Sequence, residues 1–416
     1  MPSASRIRTI LLVVLLCSLA GVIWRTRSLG GPPLELSVLS LFACFGYASV
    51  AAHYLVTARA ARSRVIAVGT LTAAAAVVTA LGLIREFDLK STAIWLLVTA
   101  GCVGAVMYIG EIALAASSHV RSERLHAFRD ALIVPAAVVI APFFLWTNAR
   151  INPVYDARVY GFEDILGVPF AYFAMRSYSL AGRFALVPTG CYLALPVGFT
   201  LLAAKQASSA AMTRVLLAVT MAGACGFVLY AICPAVGPIQ ALSVPFSTPL
   251  PHLAPESMVP MVVARHVPRN GMPSLHTVWA LLIVWNAAQL RWPWRSALTL
   301  FAWMNVWAAM GAYQHWFMDL IVAVPLAAAL QIAFAPGRVH PSTRRWIFAT
   351  VCAAVTLAWL LALRFGVLLD APPWLAWTLV SASVVGPFAM VRYPSVPPDA
   401  SRQRPLRPHV VVGDQP

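Results

Sequence analysis

Residues 71–80 read LTAAAAVVTA, ten positions without a charge and apolar on every side. Strands of a closed membrane barrel alternate apolar and polar residues, and this run does not alternate, so it belongs to a helix surrounded by apolar material. Its flanks extend the run over residues 65–84, close to the roughly 20 residues a bilayer-crossing helix needs. Eleven further segments read the same way: 9–24, 35–57, 92–115, 131–147, 184–204, 212–234, 272–290, 296–312, 315–335, 346–369 and 373–391. The expected fold is all-α, a polytopic transmembrane helical bundle of about 12 spans.

The composition fits that reading. With 60% hydrophobic residues, 11% charged residues and a mean hydropathy of +0.78, the chain is too apolar for a water-soluble core of any architecture. The 30 basic residues outnumber 14 acids, but the arginines stand in short clusters between apolar runs, the pattern of membrane topology. Nucleic acid is not an expected partner, because no soluble face interleaves basic with aromatic residues. The bilayer and a lipid substrate are. A cytoplasmic N-terminus puts roughly two-thirds of the basic residues in inside loops. Arg6 and Arg8 before an apolar run resemble a signal peptide, but Trp24-Arg25-Thr26-Arg27 is a poor cleavage context, so the first span is expected to remain. The seven cysteines lie in apolar stretches without paired spacing and read as small apolar residues. Abundant Ala and Arg beside only Lys90 and Lys205 suggest a GC-rich bacterial genome, hence the inner membrane.

Two connections, 148–183 and 235–270, are long enough to hold structure of their own, and both fall outside in this topology. The first is expected to form an interfacial helix around Phe162, Phe170, Tyr172 and Phe173. The proline-rich tail at 392–416 should be disordered. No internal repeat signals the inverted halves of a transporter.

Chemistry concentrates in two short motifs. In GMPSLHTVWA, residues 271–280, Pro273 suits the first turn of a helix. The exposed amides of such a turn, with the helix dipole, attract an anion. Ser274, Leu275 and Thr277 are therefore candidate phosphate-binding positions, with His276 beside the phosphate. In YQHWFMD, residues 313–319, His315 and Asp319 are four apart and share one helix face. A carboxylate that holds one imidazole nitrogen leaves the other for nucleophilic or general-base work. Each motif alone has a bland reading, an interfacial anchor or a structural ion pair. Together they open the eighth and tenth spans, neighbours but one, at one bilayer face, the external one.

The pairing of PSLH with HxxxD about 39 residues later resembles the phosphatidic-acid-phosphatase type 2 superfamily of membrane lipid phosphatases and phosphotransferases. The wording GMPSLHTVWA is similar to the branch of inositol phosphorylceramide (aureobasidin-resistance) synthases and their bacterial relatives. The resemblance covers about residues 150–335, a six-helix core, and does not extend to the flanking spans; the expected organisation is an N-terminal transmembrane extension of about four spans in 1–130, the core in 131–335 and two C-terminal spans in 336–391. The resemblance implies that His315 attacks phosphorus to give a phosphohistidine, Asp319 orients it, and His276 protonates the leaving group, with no cofactor and no metal. The phosphatases' KxxxxxxRP motif is missing, and Ala309 stands where they carry an arginine six residues before the second histidine. Arg265, His266 and Arg269 are the first candidates to replace that charge at the phosphate, with Arg176 and Arg183 next. The rival reading is a proton-coupled transporter or lipid flippase with the His/Asp set as a relay.

Overall fold

The computed structural model describes residues 7–10, 13, 38–57, 89–206, 208–242, 257–264, 267–334 and 342–391. Among them the architecture is helical, about 80% of it, with a single isolated antiparallel bridge between Val154 and Met261. The helices are α1 (Val38–Thr57), α2 (Leu89–Ala113), α3 (Ser118–Asn148), α4 (Asp156–Ile165), α5 (Phe170–Leu180), α6 (Leu186–Leu193), α7 (Leu195–Ala204), α8 (Ser209–Ile232), α9 (Pro238–Leu242), α10 (Leu275–Ala287), α11 (Trp292–Gly311), α12 (Phe317–Phe334), α13 (Ser342–Phe365) and α14 (Pro373–Met390).

Five of these helices (α2, α8, α12, α13 and α14) are long and apolar enough to cross a bilayer, which fits an integral membrane protein. The expected count of about 12 is not confirmed: among the described residues five helices qualify, or six if the bent pair counts as one span. Ala194 breaks the 184–204 run into two helical pieces bent by 57°, one span at most. The 272–290 run forms only the 13-residue α10, shorter than a straight crossing requires. The expected first span at 9–24 lies almost wholly outside the described residues, and 65–84 and the 392–416 tail lie wholly outside them.

The bundle is organised around α12. Its window is 83% buried inside the protein, against 17% for α2, so α12 is the hub and α2 faces the surroundings. Side chains on all sides of α12 are apolar because it packs against α8, α10, α13 and α14 at once. One core joins α8, α10 and α12 through Ala222, Leu275, Leu282, Ala323 and Ala327. Another lies under the N-terminal end of α12, where Phe162 of α4, Trp316, Met318 and Trp359 meet. At the N-terminal side α1, α2 and α3 pack together. Their core carries a polar ladder in which Tyr54 donates to Glu111 (2.7 Å) and Arg124 pairs with Glu111 (3.1 Å).

The 148–183 connection forms two helices rather than one at an interface. In α4, Asp156, Phe162 and Glu163 are buried, and Phe162 is fully enclosed, because this helix is covered by α9, α12, α13 and α14. Arg364, at the end of α13, reaches the Ile232 carbonyl (2.7 Å), and Arg158 and Arg364 both stack on the Tyr155 ring. Only α5 and the turn after it expose large apolar side chains, Phe173, Leu180 and Phe184.

Candidate active site

The two histidines come together, with ring centroids 6.0 Å apart and planes inclined by 53°. Each is placed by the start of a helix. His276 is the second residue of α10, which begins after Ser274: the Ser274 hydroxyl accepts from the Thr277 amide (3.3 Å) and from the Thr277 hydroxyl (3.1 Å). Pro273 thus precedes the N-cap instead of occupying the first turn. The N-terminus of α10 is tied to α12 through the Ser274 amide, which donates to the Asp319 carbonyl (3.0 Å). Tyr192 stacks on His276 at 3.8 Å with planes only 10° apart, and Trp279 meets it edge-on. Asn305, fully buried in α11, donates toward the Cys191 and Tyr192 carbonyls (3.3 and 3.5 Å). These contacts fix the ring that fixes His276.

His315 sits in the turn between α11 and α12, two residues before the helix it was expected to open. Its amide donates to the Ala309 carbonyl (3.1 Å). Tyr313, two residues earlier, has φ 57°, a left-handed conformation that costs a bulky side chain energy and persists only where the surroundings impose it. The imposing contact is the 233–239 turn: the Ile239 amide donates to the Tyr313 carbonyl (3.2 Å). Gly237 lies so close that a Cβ there would stand 2.2 Å from the Gln314 carbonyl oxygen.

The His315 Nδ1 atom stands 3.0 Å from the Gly271 carbonyl oxygen and 3.3 Å from Asp319 Oδ2. A carbonyl oxygen can only accept, so this geometry places the proton on Nδ1 and leaves Nε2 with a free lone pair. The nearer partner is therefore a backbone oxygen that side-chain patterns do not encode. Asp319, fully buried, also accepts from the Trp316 amide (2.8 Å). That bond is one half of a capping box, in which the third helical residue reaches back to the N-cap. One carboxylate thus starts α12 and orients His315.

Around this pair lie two carboxylates that the motifs did not flag. Asp156 accepts from the Val236 amide (3.0 Å), the Gly237 amide (2.9 Å) and the Trp316 indole (2.9 Å). Glu163 accepts from the Met318 amide (2.7 Å). Burial pushes the Asp156 carboxyl up to about 7 and the Glu163 carboxyl up to about 8; the hydrogen bonds pull both down, and the neighbouring Asp319 adds to both rises.

The expected phosphate-binding residues fare unequally. Ser274 and Thr277 are beside the histidines and buried, and Ser274, accepting twice, keeps its own O–H as a donor. The Leu275 side chain is packed against Gly226, where a Cβ would come within 2.4 Å of it, so only its backbone can face a ligand. Arg269 is corrected outright. Its guanidinium is fully buried and gives all five N–H groups to the protein: Ile151, Val263, Ala264 and Val267 carbonyls and the Asn152 side chain. No donor is left for a phosphate. Arg265 and His266 lie outside the described residues, and Arg176 and Arg183 are exposed on α5 and the turn after it. Among the described residues no Arg or Lys side chain forms an ion pair with Asp319.

Comparison with known proteins locates a similarity where this geometry lies. A family model described as the PAP2 superfamily matches residues 188–333, about a third of the chain, and this segment contains both histidines and Asp319. No curated protein matches the chain, and no solved structure does.

Proposed function

We propose that this protein is an integral membrane phosphoryl-transfer enzyme acting on a lipid phosphate, with His315 as its nucleophile. The observation that carries the reading is the held imidazole: Nδ1 engaged at 3.0 and 3.3 Å, Nε2 left for attack, and a second imidazole 6.0 Å away. Reacting atoms stand about 3–3.5 Å apart in a productive complex and a proton donor about 2.6–3.2 Å from its acceptor. Two rings at this separation are on the scale needed to flank one phosphoryl group.

In the first step His315 Nε2 forms a bond to phosphorus, the ester P–O bond breaks, and His276 gives a proton to the departing oxygen. Asp319, accepting from Nδ1, stabilises the imidazolium character that His315 gains. In the second step His276 takes the proton of water or an acceptor alcohol, whose oxygen displaces His315 from phosphorus. The Ser274 and Thr277 hydroxyls and the backbone of the first turn of α10 are assigned to the equatorial phosphate oxygens. The similarity of residues 188–333 to the PAP2 superfamily supports this chemistry. The wording GMPSLHTVWA and the missing arginines favour the branch resembling inositol phosphorylceramide synthases, and with it transfer to an alcohol. The positive-inside bias of the sequence supports a site at the external face of a bacterial inner membrane.

Radiolabelled lipid phosphates, presented in mixed micelles with and without added alcohols, test this directly. Labelled phosphate or a labelled phosphoalcohol is the expected product. No product across the panel, together with proton-coupled uptake into liposomes, would replace the enzyme by a transporter.

A further inference from the structure

We propose that Asp156 and Glu163, the two carboxylates of α4, are positioning residues for His315. The catalytic consequence rests on the phosphoryl-transfer reading; the structural one does not. A helix leaves its first amides without partners, and at α12 those amides lie next to the reactive pair. Asp319 satisfies one, the Trp316 amide (2.8 Å). Glu163, from a different helix, accepts from Met318 (2.7 Å) and from the Phe317 backbone. Glu163 is therefore a cap supplied in trans, and it sets where α12 begins relative to α4.

Asp156, seven residues earlier on α4, holds the other side of the same turn. It accepts from the Trp316 indole (2.9 Å) while binding the Val236 and Gly237 amides. Those amides belong to the turn that presses on Gln314 and Tyr313. His315 is thus bracketed: Gln314 on one side rests on a turn held by Asp156, and Trp316 on the other is held by Asp156 directly. The carbonyl that fixes its tautomer is tied in as well, since the Gly271 amide donates to the Ala235 carbonyl (2.9 Å) of that same turn. Moving α4 moves both partners of Nδ1, Gly271 and Asp319. A merely space-filling helix needs no carboxylate at either position, least of all two enclosed beside a third.

The test uses the full chain in detergent micelles with Glu163→Ala, Glu163→Gln, Asp156→Ala, Asp156→Asn and Trp316→Phe. One readout is kcat and KM on a short-chain phosphatidic acid. The other is the 15N spectrum of labelled histidine, with the His315 signals assigned by loss in His315→Ala. Glu163→Ala is expected to lower kcat about 10- to 100-fold, leave KM in place and diminish the Nδ1–H tautomer. Glu163→Gln, which keeps the acceptor oxygen, restores most of both. Trp316→Phe removes the indole N–H together with part of a buried ring and is expected to act as Glu163→Ala does; Asp156→Asn, which keeps an acceptor oxygen, is a second conservative control, and Asp156→Ala carries the test if Glu163→Ala fails to fold. Folded Glu163→Ala, Asp156→Ala and Trp316→Phe variants that keep the wild-type tautomer and kcat overturn the proposal. If wild type transfers no phosphoryl group, the functional reading falls and the histidine spectra alone decide the positioning role.

Discussion

Replacing Asp319 by Asn separates the two duties of this carboxylate. Asn keeps an oxygen that can accept from the Trp316 amide, now at 2.8 Å, so the start of α12 is preserved. The negative charge beside His315 is lost, yet the Nδ1–H tautomer is not, because the Gly271 carbonyl is the nearer acceptor at 3.0 Å. What disappears is the charge on Oδ2, which accepts from both the Trp316 amide and His315 Nδ1, so a hydrogen bond to a charged group, worth about 1.5–3 kcal/mol, becomes a neutral one worth about 0.5–1.5 kcal/mol as His315 becomes positive in the transition state. At about 1.36 kcal/mol per factor of ten, that difference of about 1–1.5 kcal/mol lowers kcat by roughly 5- to 13-fold, well short of the loss in His315→Ala. Asp319→Ala should cost further stability of about 1–3 kcal/mol, since the buried Trp316 amide is then stranded. Steady-state phosphate release in micelles and thermal unfolding of the same preparations measure both quantities. A kcat for Asp319→Asn equal to wild type, or as low as that of His315→Ala, would refute the reasoning: the first removes the carboxylate from the chemistry, the second removes the Gly271 carbonyl from tautomer control.

Other expectations follow from individual contacts. Arg269→Lys should lower the unfolding temperature and leave KM for lipid phosphate unchanged, because the guanidinium's five donors hold Val263, Ala264 and Val267 together with Ile151 and Asn152; a raised KM in a fully stable variant would return Arg269 to the phosphate. Gly237→Ala should destabilise by at least about 1–3 kcal/mol, since φ is 82° and the new methyl would meet the Gln314 carbonyl at 2.2 Å; unchanged thermal unfolding would contradict that. Asp156 and Glu163 are pushed up to about 7 and about 8 in the folded protein, above the unfolded carboxylate range near 4. Their contribution is therefore complete below about pH 4 and is lost as pH rises toward 7–8. Unfolding temperatures between pH 5 and 9 should fall with rising pH, and less steeply in Asp156→Asn; a rise over that window would reverse the sign of the argument.

Much of the site was legible because the chemistry is local. A proline, a hydroxyl and a histidine at the head of one apolar run, and a His–Asp pair four apart at the head of another, are patterns within ten residues, and the fold brings His276, His315 and Asp319 together. What escaped was non-local. The Gly271 carbonyl carries no side-chain signature. Asp156 and Glu163 sit more than 150 residues from the amides and the indole of α12 that they bind, in a segment whose aromatics suggested an interface. Arg269 looked available only because the sequence does not show that its own loop would consume its donors. Hydropathy did not show that the 184–204 run bends by 57° at Ala194, or that in 272–290 the helix is capped by Ser274 and stops at Ala287; apolar length records burial in either lipid or protein.

The central claim is that two imidazoles perform phosphoryl transfer, and it is tested most directly by phosphate release or transfer from a panel of lipid phosphates with wild type, His315→Ala and His276→Ala. The account predicts activity in wild type, its loss by orders of magnitude in both variants, and labelled phosphate retained on His315 in wild type quenched at alkaline pH, where a phosphorus–nitrogen bond survives. Activity that survives His315→Ala would contradict it.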